Sequence, residues 1–179
     1  MWVSKRVLIT LLATAIGVSS MAFAGGAFGA LGASHPGSLN HHGNRTGEPL
    51  IAESLAPSHV TDPVIHGVSP GSLPWVLKQG NVRLKRNGKL DLRVKGLVIP
   101  SMGTPGPVTM ISASLYCGAN SKRMAADTTQ QVPISRKGDA RIRDTSFSVP
   151  TTCLAPVILV HPNVAGGTTL YIALDGWRP

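Results

Sequence analysis

From Trp75 onward, apolar and polar residues alternate with a period of two. Val82 and Leu84, then Leu90, Leu92 and Val94, stand at even positions, with Arg83, Lys85, Asp91, Arg93 and Lys95 between them. Successive side chains of an extended chain point to opposite faces, so this pattern predicts strands with one buried and one solvated side. The same pattern predicts strands over Val108–Cys117, Lys122–Ala126, Gln130–Ile134, Ala140–Val149, Val157–His161 and Thr168–Leu174, with Trp75–Leu77 as a short edge piece. Turn chemistry separates them at Asn87-Gly88, Gly103-Thr104-Pro105-Gly106, Lys137-Gly138-Asp139 and Gly166-Gly167. Nothing in this half has the length or period of a helix. The predicted fold class is all-β, an immunoglobulin-like β-sandwich of about seven to nine short strands.

The first hairpin allows its register to be derived. A two-residue turn at Asn87-Gly88 would pair Leu84 with Asp91 and send one apolar set to solvent. A three-residue loop, Asn87-Gly88-Lys89, keeps both sets on one side by pairing Leu84 with Leu92 and Val82 with Val94. That register places Lys85 opposite Asp91 and Arg83 opposite Arg93 on the outer face.

Upstream of the alternation the chain changes character. Lys5 and Arg6 precede an apolar run from Val7 to Val18, and Ala22-Phe23-Ala24 supplies a small-x-small cleavage pattern. Residues 1–24 are therefore expected to be a signal peptide, too short in its apolar part for the roughly 20 residues of a membrane span. A secreted protein is expected, extracellular or cell-wall associated, without a stable membrane anchor once the signal is cleaved. Residues 25–70 contain Gly-rich pieces, prolines and most of the histidines, with almost no aromatic residue. They are expected to form a disordered linker, with at most a turn or two of helix at Pro49 to Leu55, and the β-sandwich domain is assigned to residues 71–179.

Charge narrows the partners. Residues 71–179 hold 14 Lys and Arg against five Asp and no Glu, a net of +9, so the basic character belongs to the folded part. Arg83, Arg93, Lys95, Arg141 and Arg143 all fall at outward positions of predicted strands. They form the candidate anionic-ligand face, the alternative being a solvated face that charge protects from edge pairing. The expected partners are anionic cell-wall or extracellular polymers, or another protein, and no specific nucleic acid is expected.

Two cysteines, Cys117 and Cys153, are expected to form one disulfide, because an even count in an exported chain reads first as a bridge. No metal site or cofactor is expected. His35, His41 and His42 lie in the expected linker, His59 and His66 are isolated, and His161 sits at a strand end, where its ring is expected to bond to backbone. By alternation Tyr116 and Tyr171 are out of phase with the core set, so they are expected either exposed or packed on the opposite face of their sheet or at its edge. No Gly-x-Ser-x-Gly elbow, phosphate-cradling loop or pair of suitably placed carboxylates is present. The expected function is a non-enzymatic binding module. The alternative is a secreted hydrolase or inhibitor-like protein with an unrecognised active loop.

At Gly96-Leu97-Val98-Ile99-Pro100, Gly103-Thr104-Pro105-Gly106-Pro107-Val108, Ala113-Ser114-Leu115-Tyr116-Cys117 and the run from Cys153 to Asn163, the chain resembles secreted β-domain proteins of actinobacteria. The resemblance spans about Trp75 to Trp177. It implies a compact exported domain and carries no activity, so it assigns no residue a role.

Overall fold

The computed structural model describes residues 47–118 and 124–176. The expected signal peptide, His35, His41, His42, Lys122 and Arg123 of the expected Lys122–Ala126 strand, and Trp177 lie outside the described residues; the rest of that expected strand, Met124 to Ala126, is irregular chain leading into the next strand.

In chain order the strands are β1 (Pro49–Pro57), β2 (Ser69–Pro70), β3 (Gln79–Lys85), β4 (Leu90–Lys95), β5 (Met110–Tyr116), β6 (Asp127–Thr128), β7 (Val132–Pro133), β8 (Ala140–Asp144), β9 (Val157–Pro162), β10 (Leu170–Tyr171) and β11 (Ala173–Asp175). A 3₁₀ turn, Gly167–Thr169, precedes β10. The fold is all-β, as the alternation predicts. One curled antiparallel sheet has two halves that share β1. On one side of it lie β3, β4 and β8, and on the other β11, β9 and β5, with β6 and β7 both pairing along β5. β1 makes the crossing itself: Ile51 to Ser54 pair with Leu84 to Asn81, whereas Leu55 to Pro57 pair with Asp175 to Ala173. The halves close on a single core, with Val82, Leu84, Leu92, Val94 and Ile142 from one and Ile111, Ala113, Leu115, Ile158 and Val160 from the other.

The expectation of a linker up to residue 70 is corrected here. Ile51, Leu55 and Ala56 are buried, so β1 belongs to the sandwich. Its sequence conceals this because Glu53 occupies the phase in which a strand would repeat the apolar residues Ile51 and Leu55. The open edges of β3 and β11 decide the conformation, a tertiary choice that local propensity does not contain. Residues 58–70 are tied down as well. Ser58 donates its N–H to the Ile172 carbonyl (3.0 Å), and Ile65 and Val68 exchange backbone hydrogen bonds around a tight turn at His66-Gly67. Both turn residues have positive φ, 49° and 73°, which suits a type I′ hairpin. This segment lies over a second, smaller core of Val68, Tyr116, Leu159 and Tyr171. The Tyr171 hydroxyl donates to the Pro63 carbonyl (2.8 Å), and His66 stacks on Tyr116 with ring centroids 5.2 Å apart. The domain therefore begins at β1, not at residue 71.

The first hairpin keeps its predicted parity but not its predicted register. Its three-residue loop is Arg86-Asn87-Gly88, closed by Lys85 N–H to the Lys89 carbonyl (2.9 Å) and Gly88 N–H to the Lys85 carbonyl (3.0 Å). A type I turn followed by a left-handed residue needs that residue last in the loop, and Gly88, at φ 80°, fills it. A side chain could not, since a Cβ there would stand 2.3 Å from the Phe147 carbonyl oxygen. The loop is thus one residue earlier than expected. Val82 faces Leu92, Leu84 faces Leu90, and Arg83 faces Asp91. The expected Arg83–Arg93 and Lys85–Asp91 pairings are replaced.

Other boundaries move for local reasons. β8 stops at Asp144 instead of reaching Val149, because the Asp144 carboxylate accepts the Ser146 N–H (2.8 Å) and turns the chain. The expected Thr168–Leu174 strand divides into the 3₁₀ turn, β10 and β11. β10 pairs in parallel with β2. Trp75 is buried, and Val76 makes an isolated bridge to Val98. Cys117 and Cys153 are disulfide-bonded with Cα atoms 5.0 Å apart, joining the end of β5 to the loop before β9. No helix among the described residues is long and apolar enough to cross a membrane.

Candidate functional site

The outer face of β1, β3, β4 and β8 is built from the polar half of the alternation, and the register arranges it in rows across the strands. One row runs Ser54, Asn81, Arg93, Arg141; the next runs Ala52, Arg83, Asp91, Arg143. Neighbours in a row are separated by the strand spacing, about 4.8 Å. Lys95 stands opposite Gln79 further along β4 on the same face. All five cations expected at the site, Arg83, Arg93, Lys95, Arg141 and Arg143, therefore share one surface, and all but the half-buried Arg141 are exposed.

Asp91 organises the centre of this surface. Arg141 forks onto it, Nε donating to Oδ1 at 2.9 Å and Nη2 to Oδ2. Those hydrogen bonds hold the Asp91 carboxyl below its ordinary range; burial opposes them, and the charges of Arg141, Arg143 and Arg93 reinforce them. The pair is partly exposed and screened by solvent, so it adds little to stability and serves mainly to fix the Arg141 guanidinium. It is the only ion pair among the described residues, which leaves Arg83, Arg93 and Arg143 without a carboxylate partner there. The like-charged pair predicted for this face exists, but between Arg93 and Arg141, which stand directly opposite across β4 and β8. Such a pairing is mildly unfavourable in the free protein.

The face is concave. An open cleft of about 480 Å3 is bounded by Glu53, Ser54, Asn81, Arg83, Arg93 and Arg141, among others. A second hollow of about 270 Å3 continues past Arg83 and Arg143 to Lys85 and Lys89, beside Asp144. Sequence reasoning missed Ser54 and Glu53 because they lay in the supposed linker. Asn81 was passed over because an uncharged amide gives no charge signal. Lys89 was missed because it had been assigned to the loop.

The chain matches no protein-family model, no curated protein and no solved structure. The remaining polar residues lie elsewhere in the fold. His161, in β9, is fully buried on the outer side of the other half-sheet, where its Nδ1 lies 2.7 Å from the Leu170 carbonyl oxygen. Burial pushes its pKa down, and Tyr116 packs edge-on against the ring. The cross-strand neighbour of His161 is Ser112, and no Asp side chain bonds to the ring. Among the described residues, no group of three or more His, Cys, Asp and Glu is placed to hold a metal.

Asp175, in β11 at the seam between the half-sheets, carries a testable pH effect. Its Oδ1 accepts the Ile158 N–H at 2.8 Å, yet burial pushes its pKa up to about 6, and the nearby Glu53 charge adds to the rise. The folded value lies above the ordinary 3.8, so the folded state binds the extra proton between these limits. This group's contribution to stability consequently falls as pH rises from about 4 to about 6 and stays low above that. Asp175→Asn keeps an acceptor for Ile158 and removes the buried charge. It is expected to raise stability at pH 7 by up to about 3 kcal/mol and to have little effect near pH 4, as read from urea unfolding at both values. Equal destabilisation at both pH values would contradict this account.

Proposed function

We propose that this protein is a non-enzymatic binding module that captures anionic polymers, such as those of a cell envelope, on the outer face of β3, β4 and β8. The observation that carries the reading is the convergence of Arg83, Arg93, Arg141 and Arg143 around one Asp on a face hollowed by two adjoining clefts, with Arg93 and Arg141 opposed. A bound anionic group between those two guanidiniums would convert a mutual repulsion into two charge-assisted contacts. The disulfide and the absence of a long apolar helix among the described residues are compatible with work outside the cytoplasm, where such polymers are met.

The test compares two losses of equal charge. Arg93→Ser with Arg143→Ser is expected to weaken adsorption to heparin and to cell-wall material about tenfold or more at low salt, two contacts at roughly 1 kcal/mol each or better. Arg136→Ser with Lys137→Ser, in the turn before β8, removes the same charge outside these rows and is expected to weaken it far less. Wild-type adsorption should fade as salt shortens the screening length. If both double variants lose affinity equally, net charge alone acts and the face is not a site.

A further inference from the structure

The row Ser54, Asn81, Arg93, Arg141 mixes a hydroxyl, an amide and two guanidiniums in one line across four strands. Resting on the basic-face reading, we infer that the occupant of this cleft is an acidic polysaccharide lying across the strands, its acidic group on Arg93 and Arg141 and its sugar hydroxyls on Asn81 and Ser54.

Three observations select this chemistry over other polyanions. First, the cleft that holds the arginines is also lined by Glu53 and Asp91. Carboxylates repel a ligand whose charges follow one another with no hydroxyl between them, but they accept hydrogen bonds from a ligand whose acidic groups are separated by hydroxyls. Second, Trp75, Tyr116, Phe147 and Tyr171 are all buried, so none of the described aromatic rings is available to stack a nucleic-acid base. With no ring to stack on, a sugar must be recognised through charge and hydroxyl bonding, which is what this row supplies. Third, the row repeats at the strand spacing of about 4.8 Å, close to the advance of one unit in an extended sugar chain. Successive units can therefore meet successive strands. Ala52, in the adjoining row beside Arg83, adds only a methyl group and leaves room for a ring above it.

The experiment measures affinity of the full chain for three polyanions of equal charge at fixed ionic strength. These are a polyuronate, which carries carboxylates and hydroxyls; polyacrylate, which carries carboxylates alone; and inorganic polyphosphate. Wild-type protein is expected to bind the polyuronate at least about fivefold more tightly than either of the others. Ser54→Val with Asn81→Leu, both at exposed positions, is expected to abolish that preference while leaving polyacrylate binding unchanged. Arg93→Ser is expected to weaken all three. Polyacrylate or polyphosphate binding as tightly as polyuronate, or a Ser54/Asn81 variant that keeps the preference, would overturn the glycan assignment and leave the basic-face reading standing. Unchanged binding of every polymer by Arg93→Ser would overturn both.

Discussion

A chain beginning at Gly71, where alternation alone would start the domain, is expected not to fold. The one beginning at Gly47 is expected to unfold in a single cooperative transition. The difference is β1. It buries Ile51, Leu55 and Ala56, and it is the strand through which the two half-sheets are joined. Removing a buried Ile or Leu side chain costs about 2 to 5 kcal/mol, so these two alone approach the roughly 5 to 15 kcal/mol of a typical domain. Deletion also opens the edges of β3 and β11 together and removes the Ile65–Val68 hairpin that covers Tyr116 and Tyr171. Circular dichroism through a thermal ramp decides the matter. A cooperative transition from the shorter chain within a few degrees of the longer one would mean that β1 is an ornament of the fold.

The second large effect belongs to the disulfide. Cys117 and Cys153, 36 positions apart, close a loop that includes β6, β7 and β8. In the chain-entropy model, tying that loop stabilises the domain by about 3 to 4 kcal/mol. Cys117→Ala with Cys153→Ala is therefore expected to lower Tm by about 10 to 20 °C at this domain size. Both sulfurs pack against the main core, so Ala leaves a small loss of apolar contact in addition. Because β8 carries Arg141 and Arg143, the variant should also lose affinity for polyanions at temperatures where this loop loosens. A Tm shift below about 2 °C would show that the strands hold the loop unaided.

Much of the fold was legible because burial imposes parity. Val82, Leu84, Leu90, Leu92 and Val94 are all in the core, and that follows from alternation whatever the register. Register was less legible: the hairpin loop can slide by one residue without moving any apolar side chain to solvent. What settled it was a backbone demand at Gly88 and the proximity of the Phe147 carbonyl, a contact across 59 positions of sequence. The consequence for the site was direct, since Arg83 acquired Asp91 as its neighbour and Arg93 acquired Asn81. β1 was illegible for a different reason. Glu53 breaks its alternation where the strand passes from one half-sheet to the other, and only the waiting edges of β3 and β11 make it a strand. The five cations were found from strand parity alone, whereas Ser54, Asn81 and the bond from Arg141 to Asp91 needed the register.

The central claim is that a defined face, and not overall charge, receives the ligand. It is tested most directly by following backbone amide resonances of the protein during titration with a soluble acidic polysaccharide. The account predicts perturbations concentrated at Ser54, Asn81, Arg83, Arg93, Arg141 and Arg143, with the amides around His161 on the other half-sheet and Tyr171 in β10 unmoved. Perturbations spread evenly over the basic side chains, or centred on the other half-sheet, would contradict it.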